Sequence, residues 1–528
     1  MGPVNQLVCA LLVDQYELTM ANAYFQADKH EVPAVFDLFF RKNPFGGEFA
    51  LFAGLEEVLE YLSNFRFTGE EITYLKQVLP RARRAFYAWL LSLDASKIRV
   101  YAQKEGSIVF PRVPLMRVEG PLAVCQLMES AIINLTSYPT LIATNAARMK
   151  MAAGKDKQMI EFGLRRAQGP DGAVSASRYS YLGGFEGTSN TLAGKLFDIP
   201  VSGTQAHSFI QSFGGLNELP RTTLKDSYGV EREFVELVEQ ARLTMGYTHT
   251  NKSELAAFIA YAQAFPEGFL ALVDTYTTLQ SGVPNFIAVA MALVDFGYQP
   301  IGIRLDSGDL AYFSREARKM FGQVPETYQD EFGNLKIVGS NEINEAILHS
   351  LNRQGHEIDI FGVGTNLVTC QAQPSLGCVY KLVQIKGEPR VKISDDPGKT
   401  TFPGRKHAYR LVGQQGHFLV DLLLQEGEPA PKPGEPVLCC HPHTERKRIL
   451  INPSEVIPLD DLVWDGKRVY EPKKLRDIRE YAQKQLDSIR DDHLRMMNPT
   501  PYKVSLSERL FTHMHELWDS QIPLKKLV

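Results

Sequence analysis

The stretch QPIGIRLDSGDL, Gln299 to Leu310, decides the fold. An apolar run, broken only by Arg304, ends abruptly in Asp306, Ser307, Gly308 and Asp309, and a helical pattern follows. Arg304 lies two residues before Asp306, so on a strand both face the same side. A bulkier acidic turn could be mere helix capping, since Asp and Ser are favoured N-caps. The context argues for more.

Five neighbouring segments repeat the pattern. QMIEFGL ends in Arg165-Arg166, IPVSGT in the His207 cluster, and FLALVDTY in Asp274-Thr275-Tyr276. LKIVGSN ends in Ser340-Asn341 and IDIFGVGTN in Gly364-Thr365-Asn366. Helical patterns such as SELAAFIAYAQAF, NFIAVAMALVDFG and NEAILHSLNRQG lie between them. Near-continuous apolar strands mark parallel strands buried on both faces. Polar groups at six strand ends fit a (β/α) barrel, whose site forms at the C-terminal ends of its strands. An open doubly wound sheet would concentrate its ligand at one switch point instead.

The rest of the chain reads differently. Residues 33–120 predict strands at AVFDLFFRK, IRVYAQKEGS and LMRVEGPL, and 121–153 a long helix pair. QEGEPAPKPGEPV is a loop, FLVDLLLQ, KRILINPSEVI and LVWDGKRVYEP predict short strands, and from Pro472 the chain reads as mostly helical. The expected division is an N-terminal α+β segment over 1–150, a barrel-like catalytic domain over 151–380, and a C-terminal segment over 381–528 packing with the first. The fold class is α/β, an irregular (β/α) barrel plus an α+β domain formed by the N- and C-terminal segments.

Composition limits the function classes. The chain has 528 residues, 44% hydrophobic, with net charge −4. That gives ample core for two or three domains and no general attraction for nucleic acid. No stretch is long and apolar enough to span a bilayer, so no membrane partner is expected. Six cysteines without framework spacing, and an N-terminus lacking a basic leader, predict the cytosol. CCHPHTERKR, residues 439–448, lacks metal-ligand spacing and reads as a surface turn.

Several of these motifs together resemble nicotinate phosphoribosyltransferase: LLVDQYELTM, FGLRRAQGPDG, GTQAHSF, IRLDSGDL, FGVGT and SLGCVYKLV. The resemblance covers nearly the whole chain and is weakest over 395–450 and in the last stretch. It implies synthesis of nicotinate mononucleotide from nicotinate and 5-phosphoribosyl 1-pyrophosphate in NAD synthesis. It also implies ATP as co-substrate, Mg²⁺ or Mn²⁺, the type II phosphoribosyltransferase fold, and a homodimer with shared active sites.

Residue by residue, the resemblance makes His207 a phosphohistidine, and an imidazole is a usable nucleophile toward the γ-phosphate of ATP. Arg304 would meet the nicotinate carboxylate, Thr204 would contact nicotinate, and Phe162 would stack on the pyridine. Tyr16 would reach the base from the partner subunit. Arg165, Asp274 and Asp306 fall to the ribose, pyrophosphate and Mg²⁺ region, with Asp274 and Asp306 as the metal's carboxylates. Asn341, Gly364 and Thr365 fall to the 5′-phosphate end, with Ser375 and Lys381 nearby. Rival readings are a nicotinamide-using relative, a barrel aldolase and a non-catalytic barrel scaffold. The first would place an aspartate in FEGTSNTLAG, where this chain has Ser189 and Asn190. The second would need a metal cage or a strand-end lysine. The third predicts broken motifs.

Overall fold

The computed structural model describes residues 5–394 and 399–521. The chain divides into two compact units. One joins Met1–Asn145 to Ala372–Val528, and the other is Ala146–Gln371.

The contiguous unit carries the parallel sheet. Its strands are Gln158–Glu161, Gly187–Thr188, Leu270–Leu272, Gly302–Leu305, Lys336–Gly339 and Ile360–Val363. Hydrogen bonding orders them 270–272, 302–305, 336–339, 360–363, 158–161, 187–188. A parallel bridge from Thr188 to Val201 continues the row. Chain neighbours Val201 and Leu270–Leu272 thus form the two edges, the order of a (β/α) barrel opened at one seam. The helices expected between strands form at Lys252–Ala264, Val283–Asp295 and Glu345–Gln354. The middle one is buried from Val283 to Leu293, which explains its all-round apolar sequence.

One expectation needs correction. IPVSGT is a one-residue bridge and no strand. Pro200 has no N–H to donate, so pairing is limited to Thr188 N to Pro200 O (3.0 Å) and Ser202 N to Thr188 O (3.0 Å). The strand Gly187–Thr188, too short to show an apolar run, takes the inner place. The tail after Pro472 is mostly helical, as expected, and one strand interrupts it. Lys503–Leu506 is a strand pairing parallel to Phe418–Gln425, between the helices Leu475–Asp487 and Glu508–Gln521.

The other unit interleaves the two ends of the chain. Pro33–Phe40 lies between Met116–Pro121 and Cys378–Ile385, antiparallel to both. Asp461–Asp465 closes the far edge of the same sheet on Arg99–Ala102. A second sheet, built around Lys406–Val412 and Phe418–Gln425, encloses Leu411, Val420, Leu422, Leu424, Cys439 and Ile451 as its core.

These strands also bury ions. Arg410 and Asp421, 1% and 0% exposed, form a fork of two 2.8 Å bonds. Lys406 meets Asp37 with both side chains 2% exposed. Burial pulls the Lys406 ammonium down, and Asp37 opposes it.

Candidate active site

The ends of the parallel strands converge on Arg304. Its Nε donates to Ser340 Oγ at 2.7 Å, and a terminal nitrogen donates to Asp306 Oδ1 at 2.9 Å. Ser340 Oγ in turn donates to the same Asp306 oxygen at 2.6 Å. Register explains the triangle. Parallel pairing sets Leu305 beside Gly339, so the next residues, Asp306 and Ser340, leave their strands side by side. Ser340 had no role assigned from sequence. The signal was there, because its place after an apolar strand matched that of Asp306.

Arg304 also lies over the Phe162 ring, 5.1 Å from guanidinium carbon to centroid. Gly362 makes room for that ring, since a Cβ there would fall 2.4 Å from it. Phe162 and Arg304 thus present an aromatic face beside a cationic fork, which suits a flat ring bearing a carboxylate.

Asp274 braces the next turn. Its Oδ2 accepts from Asp306 N (2.9 Å) and Ser307 Oγ (2.6 Å). Its Oδ1 is buried and has no partner among the described residues. Past Asp274 the chain enters a π-turn, Thr278–Gly282, where a Cβ at Gly282 would strike Val273 O at 1.8 Å. Such turns are frequent at functional sites.

His207 begins the short helix His207–Gln211. Its Nδ1 lies 3.0 Å from Thr275 Oγ1, and its Nε2 lies 3.8 Å from Asp306 Oδ2. His207 follows one seam edge and Thr275 the other, so this contact spans the seam. The hydroxyl occupies Nδ1 and leaves Nε2 toward Asp306.

Other expected residues are placed more loosely. Thr204 makes a long 3.4 Å bond to Gln205 O. Arg165 and Asn341 are exposed and make no side-chain hydrogen bond among the described residues. Gly364 precedes the four-residue helix Thr365–Val368. Asn366 Nδ2 ties this turn to the next loop through Glu342 O and Ile343 O, at 3.0 and 3.1 Å.

Tyr16, Ser375 and Lys381 belong to the interleaved unit. Tyr16 and Ser375 line one cavity of about 530 Å³. Burial, then Glu129 and Glu17, pushes the Tyr16 phenol upward. Lys381 lies 4.0 Å from Glu129.

Two carboxylates, one of them with an orphaned oxygen, suit a hard cation that keeps waters and substrate oxygens as its remaining ligands. Among the described residues no group of three or more His, Cys, Asp or Glu is placed to hold a metal ion. Among them, too, no helix is long and apolar enough to cross a membrane.

Comparison with known proteins covers almost the entire chain. Residues 11–137 match the nicotinate phosphoribosyltransferase N-terminal domain, 157–418 the nicotinate phosphoribosyltransferase family, and 405–514 its C-terminal domain. A nicotinate phosphoribosyltransferase of Dictyostelium discoideum is 53% identical over 99% of this chain and 91% of its own. The Homo sapiens relative of the same name is 44% identical, covering 97% of each. The crystal structure of human nicotinic acid phosphoribosyltransferase superposes with a TM-score of 0.86 at 41% identity, over 96% of this chain and 99% of that one.

Proposed function

The chain belongs to the nicotinate phosphoribosyltransferase family, and from that premise we propose roles for the residues gathered at the strand ends. The reaction is the ATP-coupled synthesis of nicotinate mononucleotide from nicotinate and 5-phosphoribosyl 1-pyrophosphate, a step of NAD synthesis. The observation that carries the assignment of roles is the Arg304 guanidinium, bonded to Ser340 and Asp306 and lying over Phe162.

Nicotinate lies on Phe162 with its carboxylate toward Arg304 and Thr204. This leaves the ring nitrogen aimed at ribose C1. That nitrogen is already nucleophilic, so alignment matters more than a base. Exchange at C1 passes through an oxocarbenium-like state. Asp274 and Asp306 would hold Mg²⁺ or Mn²⁺, which supplies charge neutralisation for the leaving pyrophosphate. Arg165 would serve the same region, and Asn341, Gly364 and Thr365 would receive the 5′-phosphate.

His207 carries the ATP coupling. With Nδ1 committed to Thr275, Nε2 attacks the γ-phosphorus and ADP leaves. Incubation with γ-labelled ATP gives acid-labile, base-stable label, and His207→Ala loses both the label and the ATP stimulation. Full ATP response in that variant would make His207 structural.

The base is nicotinate and not nicotinamide. At the position where an aspartate would hold an amide, Asn190 caps the helix Thr191–Phe197 and donates to Ser177 Oγ. A neutral group there spares the substrate's carboxylate from repulsion. Pyrophosphate release with nicotinate, nicotinamide or no base separates these readings from a non-catalytic barrel.

The working form is a homodimer in which Tyr16 completes the partner's site. Ser375, far from Tyr16 in sequence, lines the same cavity. Mixing inactive Tyr16→Ala and Asp306→Asn chains restores activity if each site draws on two subunits. No recovery after proven exchange would place Tyr16 in its own chain's site. Six free cysteines are consistent with a cytosolic location.

A further inference from the structure

The basic turn at residues 441–447, between the strands Val437–Cys440 and Arg448–Ile451, has no part in the chemistry above, yet it lines a cavity of about 830 Å³ in the interleaved unit. Five lining side chains are Lys or Arg: Arg112, Arg446, Lys447, Arg448 and Lys503. The one lining carboxylate is Glu48, whose Oε2 accepts from Asn43 Nδ2 at 3.4 Å and Tyr502 N at 3.3 Å. Arg448 pairs with Glu508 at 3.0 Å. Arg446, Lys447 and Lys503 have no ion pair among the described residues.

Local geometry deepens the imbalance. Arg112 holds a left-handed backbone, φ 68°, fixed by its N–H on Phe40 O at 2.8 Å. Such strain in a non-glycine residue persists where surrounding structure imposes it, and it clusters at functional positions. The Arg112 guanidinium meets His443 Nε2. Burial, then Arg112, His441 and His515, pushes the His443 imidazole down to about 4. Burial, Lys447 and Arg112 lower His441 as well. The positive field thus favours the neutral form of both rings.

The walls are stiff and partly apolar. Pro111, Pro442 and Pro501 line the cavity, and Tyr502 stacks on Phe110 with centroids 3.4 Å apart. A cavity of this size is in the range that encloses a small ligand. A lone carboxylate would use one guanidinium, whereas cations spread around one cavity suit several linked anionic groups. A cleft lined by one sign of charge also concentrates its counter-ion.

We propose that this cavity binds an oligophosphate, the chemistry shared by inorganic tripolyphosphate and the phosphate tail of a nucleoside triphosphate. His443 stacks on Trp518, with centroids 6.2 Å apart and planes 10° apart. A bound polyanion favours the protonated imidazole, so filling the cavity alters Trp518 emission.

The test is a fluorescence titration at fixed ionic strength with tripolyphosphate, ATP and orthophosphate, joined to site counting by equilibrium dialysis with labelled tripolyphosphate. Tripolyphosphate gives a saturable signal that Trp518→Phe removes, and orthophosphate binds far more weakly. The triple variant Arg446→Glu, Lys447→Glu, Lys503→Glu binds about tenfold more weakly or worse and loses one site per chain. It keeps pyrophosphate release with nicotinate. The neutral pair Lys447→Gln, Lys503→Gln serves if charge reversal harms folding, and it moves the affinity in the same direction. Equal affinity for tripolyphosphate and ATP assigns recognition to phosphates alone, and tighter ATP adds the apolar wall as a base site. An unchanged site count in both variants, a signal that survives Trp518→Phe, or orthophosphate binding as tightly as tripolyphosphate overturns the proposal.

Discussion

Arg304 and Arg410 are both arginines on strands, both in ion pairs with an aspartate, and they do opposite things. Arg304 stands next to the C-terminal end of a parallel strand and is 15% exposed, and its partner Asp306 is 33% exposed. Arg410 stands in the middle of an antiparallel strand, and neither it nor Asp421 reaches solvent. The parallel unit gathers its charges where strands stop and loops begin. The interleaved unit buries them within strands and pairs them there. Arg410 also donates to Ile108 O at 2.9 Å, with Phe418 and Phe110 over its guanidinium. The place of a charge along a strand therefore separates a group available to substrate from one consumed by the fold.

Breaking the buried pair tests this most severely. Arg410→Ala leaves Asp421 uncompensated and should cost about 3–5 kcal/mol of stability in urea unfolding. Arg410→Met with Asp421→Leu should recover much of it. Arg304→Ala should instead leave the melting temperature nearly unchanged and lower kcat/KM for nicotinate by about 3 kcal/mol, some hundredfold. Comparable loss of stability in both variants would erase the distinction.

The contrast blurs at one carboxyl. Glu254 lies fully buried in the parallel unit. Its Oε2 accepts from Ser281 Oγ (2.6 Å) and Asn285 Nδ2 (3.0 Å). Burial pushes it up to about 7, from an ordinary value of 4.5. The folded chain therefore holds a proton that the unfolded chain releases, and stability falls as pH rises from about 4.5 to about 7. Glu254→Gln should flatten that part of the stability profile by roughly 2 kcal/mol, measured as unfolding free energy at pH 5 and pH 8. The smallest effect belongs to the surface. Lys319→Ala removes the 2.7 Å pair with Glu316, where Lys319 is 67% exposed, and should change stability by less than about 0.5 kcal/mol.

The same contrast explains what the sequence made legible. Strand ends such as LDSGD and the glycines of FGVGT advertise themselves because apolar texture stops there. Arg304, Asp306 and Asp274 could therefore be picked out, and the structure brings them together. Ser340 escaped because a serine after a strand is common, and only the register with Asp306 gives it meaning. The Arg410–Asp421 and Lys406–Asp37 pairs escaped because their partners are set by tertiary pairing. No local pattern announces that Lys406 will meet a residue on the strand Pro33–Phe40. IPVSGT misled for a related reason, since apolar character predicted a strand that Pro200 could not extend.

The interleaving of one sheet sets a timetable for the ribosome. Pro33–Phe40 is made early, with seven of its eight residues destined for burial. One flank finds Met116–Pro121 soon afterwards, but the other waits for Cys378–Ile385. At roughly 5–20 residues per second, the intervening chain of roughly 340 residues takes about 20–70 s to make. During that interval PAVFDLFF offers an open apolar edge, while Ala146–Gln371, continuous in the chain, can close on itself. The nascent protein thus has a built-in period in which this edge stays unpaired. It ends only when the SLGCVYKLV segment emerges and pairs with a strand synthesised at the start.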